Sequence, residues 1–308
     1  MVSKRFRVNK YMLIVGILLL VVFFAALKSS SNVDSMTTNN THSTGEKYHL
    51  ALCCIIKDER NLEEFIAYYH VVGVQHFYIY DNGSSPPIRE RLNNSFFTDR
   101  CTITDFPGTM QQMNAYNTCL KDHGKETKWM LFVDGDEFVL PKKHDTITAF
   151  LDELDAKGNN QVQAVGISWV MFGSSFHDKK QDGLVIDNFR HRNARFDQHI
   201  KTVCKPAFTI AMRDPHSAQV QDESKYWDPH GNVISGPFNP DNDTTDVIQI
   251  NHYHGRSVEE QMEKKMRGTP DRTTLDYQPR AHEINNDTKD NTIADRFMDA
   301  VKTTLENL

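Results

Sequence analysis

The sequence predicts an α/β fold, a mostly parallel sheet flanked by helices, and two observations carry the prediction. Apolar runs of strand length alternate with helix-spaced segments, the pattern of crossover-linked strands. Acidic residues follow each of the first four runs, at the carboxyl ends where ligands of such sheets bind: Asp58 and Glu59, then Asp81, Asp105, and the group Asp134 to Glu137.

The first folded element is the apolar run Leu50 to Ile56. Asn61 to Val72 follows as a helix, because Leu62, Phe65, Ile66 and Tyr69 recur at i, i+3, i+4 and i+7 and Gly73 stops the pattern. His76 to Tyr80 is a second strand running into the turn cluster Asp81-Asn82-Gly83-Ser84-Ser85-Pro86-Pro87. Cys101 to Phe106 reads as a third strand, Thr109 to His123 as a helix closed by Gly124, and Trp129 to Val133 as a fourth strand. Two β-α-β units joined by a loop imply right-handed crossovers and a Rossmann-like sheet. Beyond Leu140 the pattern loosens; Ala164 to Phe172 and Asp246 to Tyr253 read as strands. Ser257 to Arg267 is a helix whose Ser257 and Glu260 make a capping box. The polar tail after Pro270 has no readable period, and no internal repeat is visible.

At 308 residues, 25% charged and 39% hydrophobic, the composition is that of an ordinary folded protein. A net charge of -6 argues against a nucleic-acid partner, which normally demands a Lys/Arg excess. The run Met12 to Leu27 is apolar throughout, with Lys4, Arg5, Arg7 and Lys10 before it and Lys28 after it. With Tyr11 it is of minimal membrane-spanning length. The basic excess on its amino side places the N-terminus in the cytoplasm and the rest in the lumen of the secretory pathway, at the Golgi or another of its membranes. A cleaved signal peptide is the alternative. The expected organisation is a tail at 1–10, a signal anchor at 11–27, a polar stem at 28–47, a catalytic domain at 48–255 and a C-terminal helical segment at 256–308. Five cysteines, an odd number, allow one or two bridges and leave at least one thiol free. Sequons stand at Asn39, Asn93, Asn242 and Asn286.

Phe132-Val133-Asp134-Gly135-Asp136-Glu137-Phe138 is the sharpest feature. Asp134 and Asp136, one residue apart beyond an apolar strand, can turn together toward a hard divalent cation, manganese or magnesium, that also holds a diphosphate. A solvated acidic turn is the bland alternative.

Several stretches in one order resemble glycosyltransferase family 92 and the related family-2-like enzymes, inverting transferases of GT-A fold. They are Ile56-Lys57-Asp58-Glu59 with Leu62 to Phe65 and Tyr69-His70, Gly73 to Ser84, the acidic motif, and Trp169 to Ser174. Next come His199-Ile200-Lys201 with Pro206 and His216, then Asn251-His252-Tyr253 leading to Ser257 to Glu260 and Lys264 to Gly268. The chain departs from the family where Lys57-Asp58-Glu59 replaces the usual Lys-Asn-Glu and Phe65 a Trp. The resemblance implies transfer of a hexose from a nucleotide-sugar donor to a glycan or glycoconjugate hydroxyl. It places Lys57, Glu59, Asp81, Asp134 and Lys201 at the donor, and Asp134 and Asp136 at the metal. Histidine is a common third ligand in such sites; His252 is the first candidate, with His254 and His216 open.

An inverting transfer needs a base for the acceptor hydroxyl, and Asp178, in the loop carrying His177 and Asp182, is the candidate. Trp169 and Phe172 are candidates to stack on a sugar, although large aromatics more often belong to the core. Competing readings are a metal-dependent phosphohydrolase or phosphotransferase and a non-catalytic sugar-binding module.

Overall fold

Strand β1 (Tyr48–Ile56) is buried on both faces, and this accounts for its unbroken apolar run. A computed structural model describes residues 45–267 and 284–308. The expected membrane anchor, the tail before it, most of the stem and the sequon at Asn39 lie outside the described residues. Among the described residues no helix is long and apolar enough to cross a membrane.

After β1 come α1 (Leu62–Val71), β2 (His76–Asp81), the short helices α2 (Ile88–Arg91) and α3 (Ser95–Arg100), and β3 (Cys101–Asp105). They are followed by α4 (Gln112–His123), β4 (Thr127–Phe132), β5 (Glu137–Pro141), α5 (Ile147–Lys157), β6 (Ala164–Met171) and α6 (Val185–Asn188). Then come β7 (His191–Arg192), β8 (Asp197–Cys204), β9 (Thr209–Met212), β10 (Ala218–Val220), β11 (Tyr226–Trp227) and β12 (Ile248–His252). The chain ends with α7 (Val258–Arg267), β13 (Thr288–Lys289) and α8 (Thr292–Glu306).

The main sheet has the order β3-β2-β1-β4-β8-β6-β12-β5, with β11 also on β6. Pairs among β1, β2, β3 and β4 are parallel, as are those of β6 with β12 and β11. Two strands run against the rest: β8, between β4 and β6, and β5, at the edge beside β12. The mostly parallel sheet expected from the sequence is present; β5 and β8 are additions to it.

Period-two alternation divides β1 between two cores. Leu50, Leu52, Cys54 and Ile56 face the cluster built by α1, α5 and α8, while Ala51, Cys53 and Ile55 face α4 and the β9–β10 hairpin. Helix α8 presents Phe297 edge-on to Tyr68 of α1 at 5.8 Å and buries Val301, so the end of the chain shares the principal core. At the end of α1, Gly73 takes φ +105°, a conformation glycine adopts without strain. The α7 capping box forms, with Glu260 N donating to Ser257 Oγ at 3.3 Å and Ser257 N to Glu260 Oε2 at 3.3 Å. All five cysteines are unbridged, and four are buried. Of the sequons among the described residues, Asn93 is exposed, whereas the Asn242 amide donates to Asp228 and the Asn286 carbonyl accepts from the Ser175 N–H.

Candidate active site

The acidic loop leaves β4 at the carboxyl edge of the sheet and returns as β5. Gly135 is required at its tip: a Cβ there would lie 2.8 Å from Ile56 Cδ1 and 3.4 Å from Glu59 Cγ. The close approach holds the loop against the end of β1.

The sequence leads one to expect Asp134 and Asp136 turned together; the structure gives them different partners. The Asp134 carboxylate accepts from Gln112 Nε2 at 2.6 Å and Tyr116 Oη at 3.2 Å, both on α4, and from Lys201 Nζ of β8 at 2.8 Å. Those three donors hold the loop, while the Asp134 side chain stays 35% exposed. Asp136 Oδ2 accepts from Lys264 Nζ of α7 at 2.6 Å, while its Oδ1 faces His252 Nε2 at 3.6 Å. Burial pushes both aspartates up, but the lysines outweigh it: Lys201 leaves Asp134 below the usual range, and Lys264 with His252 leaves Asp136 well below.

Glu137, absent from the site expected from sequence, is the hub beneath the loop. It opens β5 fully buried and accepts from Asp134 N at 2.8 Å. Lys201 Nζ lies 3.6 Å away. Burial, reinforced by Asp134 and Asp136, raises its carboxyl well above normal despite that lysine. Lys201, with no exposed surface, is pushed down by burial, yet Asp134 and Glu137 leave it raised and charged. It binds the loop from below.

The other expected donor residues divide as clearly. Glu59 Oε1 accepts from Arg256 Nη1 at 2.8 Å and lines a pocket of about 260 Å³. Lys57 sits half-exposed at the end of β1, outside that lining. Asp81 is only 4% exposed, and its two oxygens accept from the N–H groups of Ser84 at 2.8 Å and Ile88 at 2.9 Å. It therefore holds the turn after β2 instead of reaching a base or ribose. Asp58, at φ +50°, ties the two loops together by accepting from Ser85 N at 2.8 Å. Aspartate and asparagine tolerate that left-handed backbone better than most residues. Asp178 is exposed and lies outside the pocket lining; its carbonyl accepts from Glu259 N at the start of α7. Phe172 is fully buried and belongs to the core, whereas Trp169 is half-exposed.

The pocket lies between the ends of β1 and β12 and the helix α7. Asp136 lines it together with four other carboxylates, Asp58, Glu59, Glu260 and Glu263, with five cations, Arg60, Lys180, Arg256, Lys264 and Arg267, and with Tyr253 and His254. Arg267 Nη1 donates to the Asp58 carbonyl at 2.7 Å, tying α7 to the loop after β1. Five carboxylates and five cations thus meet in its wall, several of them paired, and the cations are the groups able to take a phosphorylated ligand. The sequence marked Lys264 only through its resemblance; Arg256 belongs to no periodic pattern, and its position becomes functional only when α7 folds over β1.

Asp136 and His252 are the residues that would hold a divalent cation. Asp136 Oδ1 and His252 Nε2 face each other, and behind the imidazole His252 Nδ1 lies 4.0 Å from Glu137 Oε1. Both of these buried rear atoms lack hydrogen-bond partners. An imidazole backed by a carboxylate is the usual arrangement of a ligating histidine. Among the described residues no three acidic, histidine or cysteine side chains converge for a metal. Two protein donors suit magnesium or manganese, which commonly complete their shell with substrate phosphates and water.

A sequence model of glycosyltransferase family 92 matches residues 53–296. A glycosyltransferase family 92 protein of Oryza sativa subsp. japonica is 25% identical over 183 residues, covering 58% of this chain and 31% of the relative. Another, of Ricinus communis, is 30% identical over 120 residues, covering 38% of this chain and 21% of the relative. The matched stretches thus span less than a third of either relative's length.

Proposed function

Since the chain belongs to glycosyltransferase family 92, we propose that it transfers a hexose from a nucleotide-sugar donor, UDP-linked, to a hydroxyl of a glycan or glycoconjugate, with inversion on a GT-A scaffold. The observation that carries this reading is the charged pocket at the carboxyl edge of the sheet, in which five cations face Asp136 and four other carboxylates. Arg256, Lys264 and Arg267 are placed to bind the diphosphate, and Glu59 orients Arg256 through their 2.8 Å contact. Asp136 and His252 are the residues that would hold Mn2+ or Mg2+, with Glu137 behind the imidazole. The cation would supply neutralisation of the charge that grows on the leaving diphosphate. Lys264 donates to Asp136 and lies in the pocket wall, so it has two anions within its reach: this carboxylate and an arriving phosphate. We further propose that the apolar run at 11–27 anchors the chain in a secretory-pathway membrane with the folded part lumenal, on the basic residues that precede it.

The test is a screen of the purified protein with UDP-hexoses and manganese beside Asp136→Ala. The variant is expected to keep the far-ultraviolet spectrum of the wild type and to lose turnover by at least about a hundredfold, each factor of ten being about 1.4 kcal/mol of barrier. Equal turnover by both proteins removes Asp136 from the chemistry. Absence of turnover from every UDP-hexose, together with no binding of UDP, removes the donor class.

A further inference from the structure

Asp178 is exposed outside the lining of the donor pocket, and the sheet supplies a second candidate for the acceptor side. Registers put Ile167 opposite Lys201 and Trp169 opposite Ile250, so the alternation of side chains brings Trp169, Lys201 and His252 to one face. The β6–β8 register shifts between Ser168 and Trp169, which pairs with Asp197, and the contact of the His199 ring with Trp169 puts His199 on that face as well. The rings touch in series. Trp169 meets His252 at 4.3 Å between centroids, His199 stacks on Trp169 at 5.0 Å with 23° between planes, and Phe238 meets His199 edge-on at 4.7 Å. The row begins at the histidine that faces Asp136 and ends at an aromatic 41% exposed. Partly exposed aromatic faces in a polar setting suit the C–H faces of a sugar.

His199 is also held as a base is held. Its Nδ1 lies 2.6 Å from Asp197 Oδ1, which also accepts from the His199 backbone N–H at 2.9 Å. With Nδ1 turned to the Asp197 carboxylate, the tautomer that donates across this contact leaves the lone pair on Nε2. Nε2 has no hydrogen-bond partner among the described residues, and the side chain is 36% exposed. A base oriented from behind by a second group is the recurring arrangement in nucleophile activation. His216, the other histidine against Trp169, has its Nδ1 at the Ile200 carbonyl, 2.9 Å away. It is pushed down by burial and by Lys201.

We propose that Phe238, His199 and Trp169 form the acceptor-sugar platform and that His199 Nε2 removes the proton of the attacking hydroxyl. This rests on the transferase reading above. As the acceptor O–H bond breaks, its proton goes to Nε2 and the oxygen forms the bond to the anomeric carbon. The carbon's bond to the phosphate oxygen breaks, and that electron pair leaves on the nucleoside diphosphate. The imidazolium, stabilised by Asp197, then returns its proton to water. Asp197 is a positioning residue.

The experiment uses the full chain with UDP-galactose, UDP-glucose and UDP-N-acetylglucosamine, manganese, and lactose, cellobiose and chitobiose as acceptors. His199→Ala is expected to lower kcat for transfer at least about a hundredfold, to leave the Kd for UDP unchanged, and to regain part of the rate when imidazole is added. Asp197→Asn should lower kcat about tenfold with KM held, and Asp197→Glu should recover part of it, which a merely structural role does not produce. Phe238→Ala should raise the acceptor KM about tenfold at nearly constant kcat. Transfer by His199→Ala within threefold of wild type overturns the proposal, and so does a parallel loss of UDP binding, which would place His199 in the donor site. If the wild type transfers no sugar from these donors, it is the transferase reading that fails. The platform is then judged by saturation-transfer NMR of the disaccharides. A disaccharide signal present with the wild type and missing with Trp169→Ala and Phe238→Ala supports the platform, and no signal with the wild type overturns it.

Discussion

Lys201 shows how one buried charge can fix a loop. Its ammonium, without exposed surface, sits 2.8 Å from Asp134 and 3.6 Å from Glu137. Taking an ammonium out of water costs several kcal/mol, and the loss is offset only while its anionic partners stay in place. The reverse holds for Asp134 and Glu137, which depend on Lys201 for their compensating charge. Lys201→Met should therefore destabilise the protein by about 3 kcal/mol, read as a lowered urea midpoint at unchanged slope. Asp134→Asn in the same background should recover part of the loss, because neighbours that share a network do not add. A cost under about 1 kcal/mol for Lys201→Met would show that the loop is held by Gln112 and Tyr116 alone. The sequence could mark Asp134 and Asp136 by their position after a strand, but it could not tell that one faces α4 and the other α7. That distinction depends on Lys201 and Lys264, which lie 67 and 128 residues away along the chain from the aspartates they pair with.

Helix α1 carries a buried acid that ties it to another element. Glu64 is 3% exposed, and its oxygens accept from Val185 N at 2.8 Å and Ile186 N at 3.1 Å, fixing the start of α6. Burial raises its carboxyl to about 7, outweighing those two N–H donors. The folded pKa is above the unfolded one, so the folded state binds more protons across the window from about 4.5 to 7. The stabilisation linked to Glu64 is complete below that window and is lost as pH rises through it. Glu64→Gln, uncharged at every pH, should accordingly gain stability relative to wild type between pH 4.5 and pH 8, by up to about 3 kcal/mol. Urea unfolding at both pH values measures it, and a difference between variant and wild type that stays constant with pH would refute it. Elements with a regular apolar period were legible: β1, α1, β2 and β4 lie within a few residues of their expected positions. Strand β8 was not, because Lys201 and Thr202, both fully buried, interrupt its apolar residues with polar ones that only the folded protein satisfies. Helix α8 falls inside the expected C-terminal helical segment, but its bounds were hidden for a different reason. Its buried positions, Ile293, Ala294, Phe297 and Val301, form a narrow stripe in an otherwise polar segment, and their partners on α1 are far away in sequence.

At the scale of the whole molecule, the candidate donor site joins segments far apart along the chain. Glu59 follows β1, Asp136 follows β4, His252 ends β12, and Arg256, Lys264 and Arg267 belong to α7 or the turn into it. This is why the alternation of elements could indicate an α/β fold and the carboxyl edge, while the cationic half of the pocket could not be read from any single stretch. A ligand that spans these segments must add to global stability, since it binds the folded chain and not the unfolded one. A diphosphate and a divalent cation are also ligands for each other, so each should bind better in the presence of the other. UDP with manganese, at a hundredfold excess over its Kd, should contribute about 2.7 kcal/mol. For a folded unit of this size that raises Tm by about 5 °C. Either component alone should raise it by less than about 1 °C, because the phosphates then lack their counter-charge at Asp136, and manganese alone has only two protein donors, Asp136 and His252. Asp136→Ala should abolish the joint shift while leaving the unliganded Tm close to that of the wild type, since Lys264 is partly exposed and remains hydrated when its partner is removed. Differential scanning calorimetry separates the outcomes. A shift from UDP that is the same with and without manganese would assign diphosphate binding to Arg256, Lys264 and Arg267 alone and remove the cation from the site.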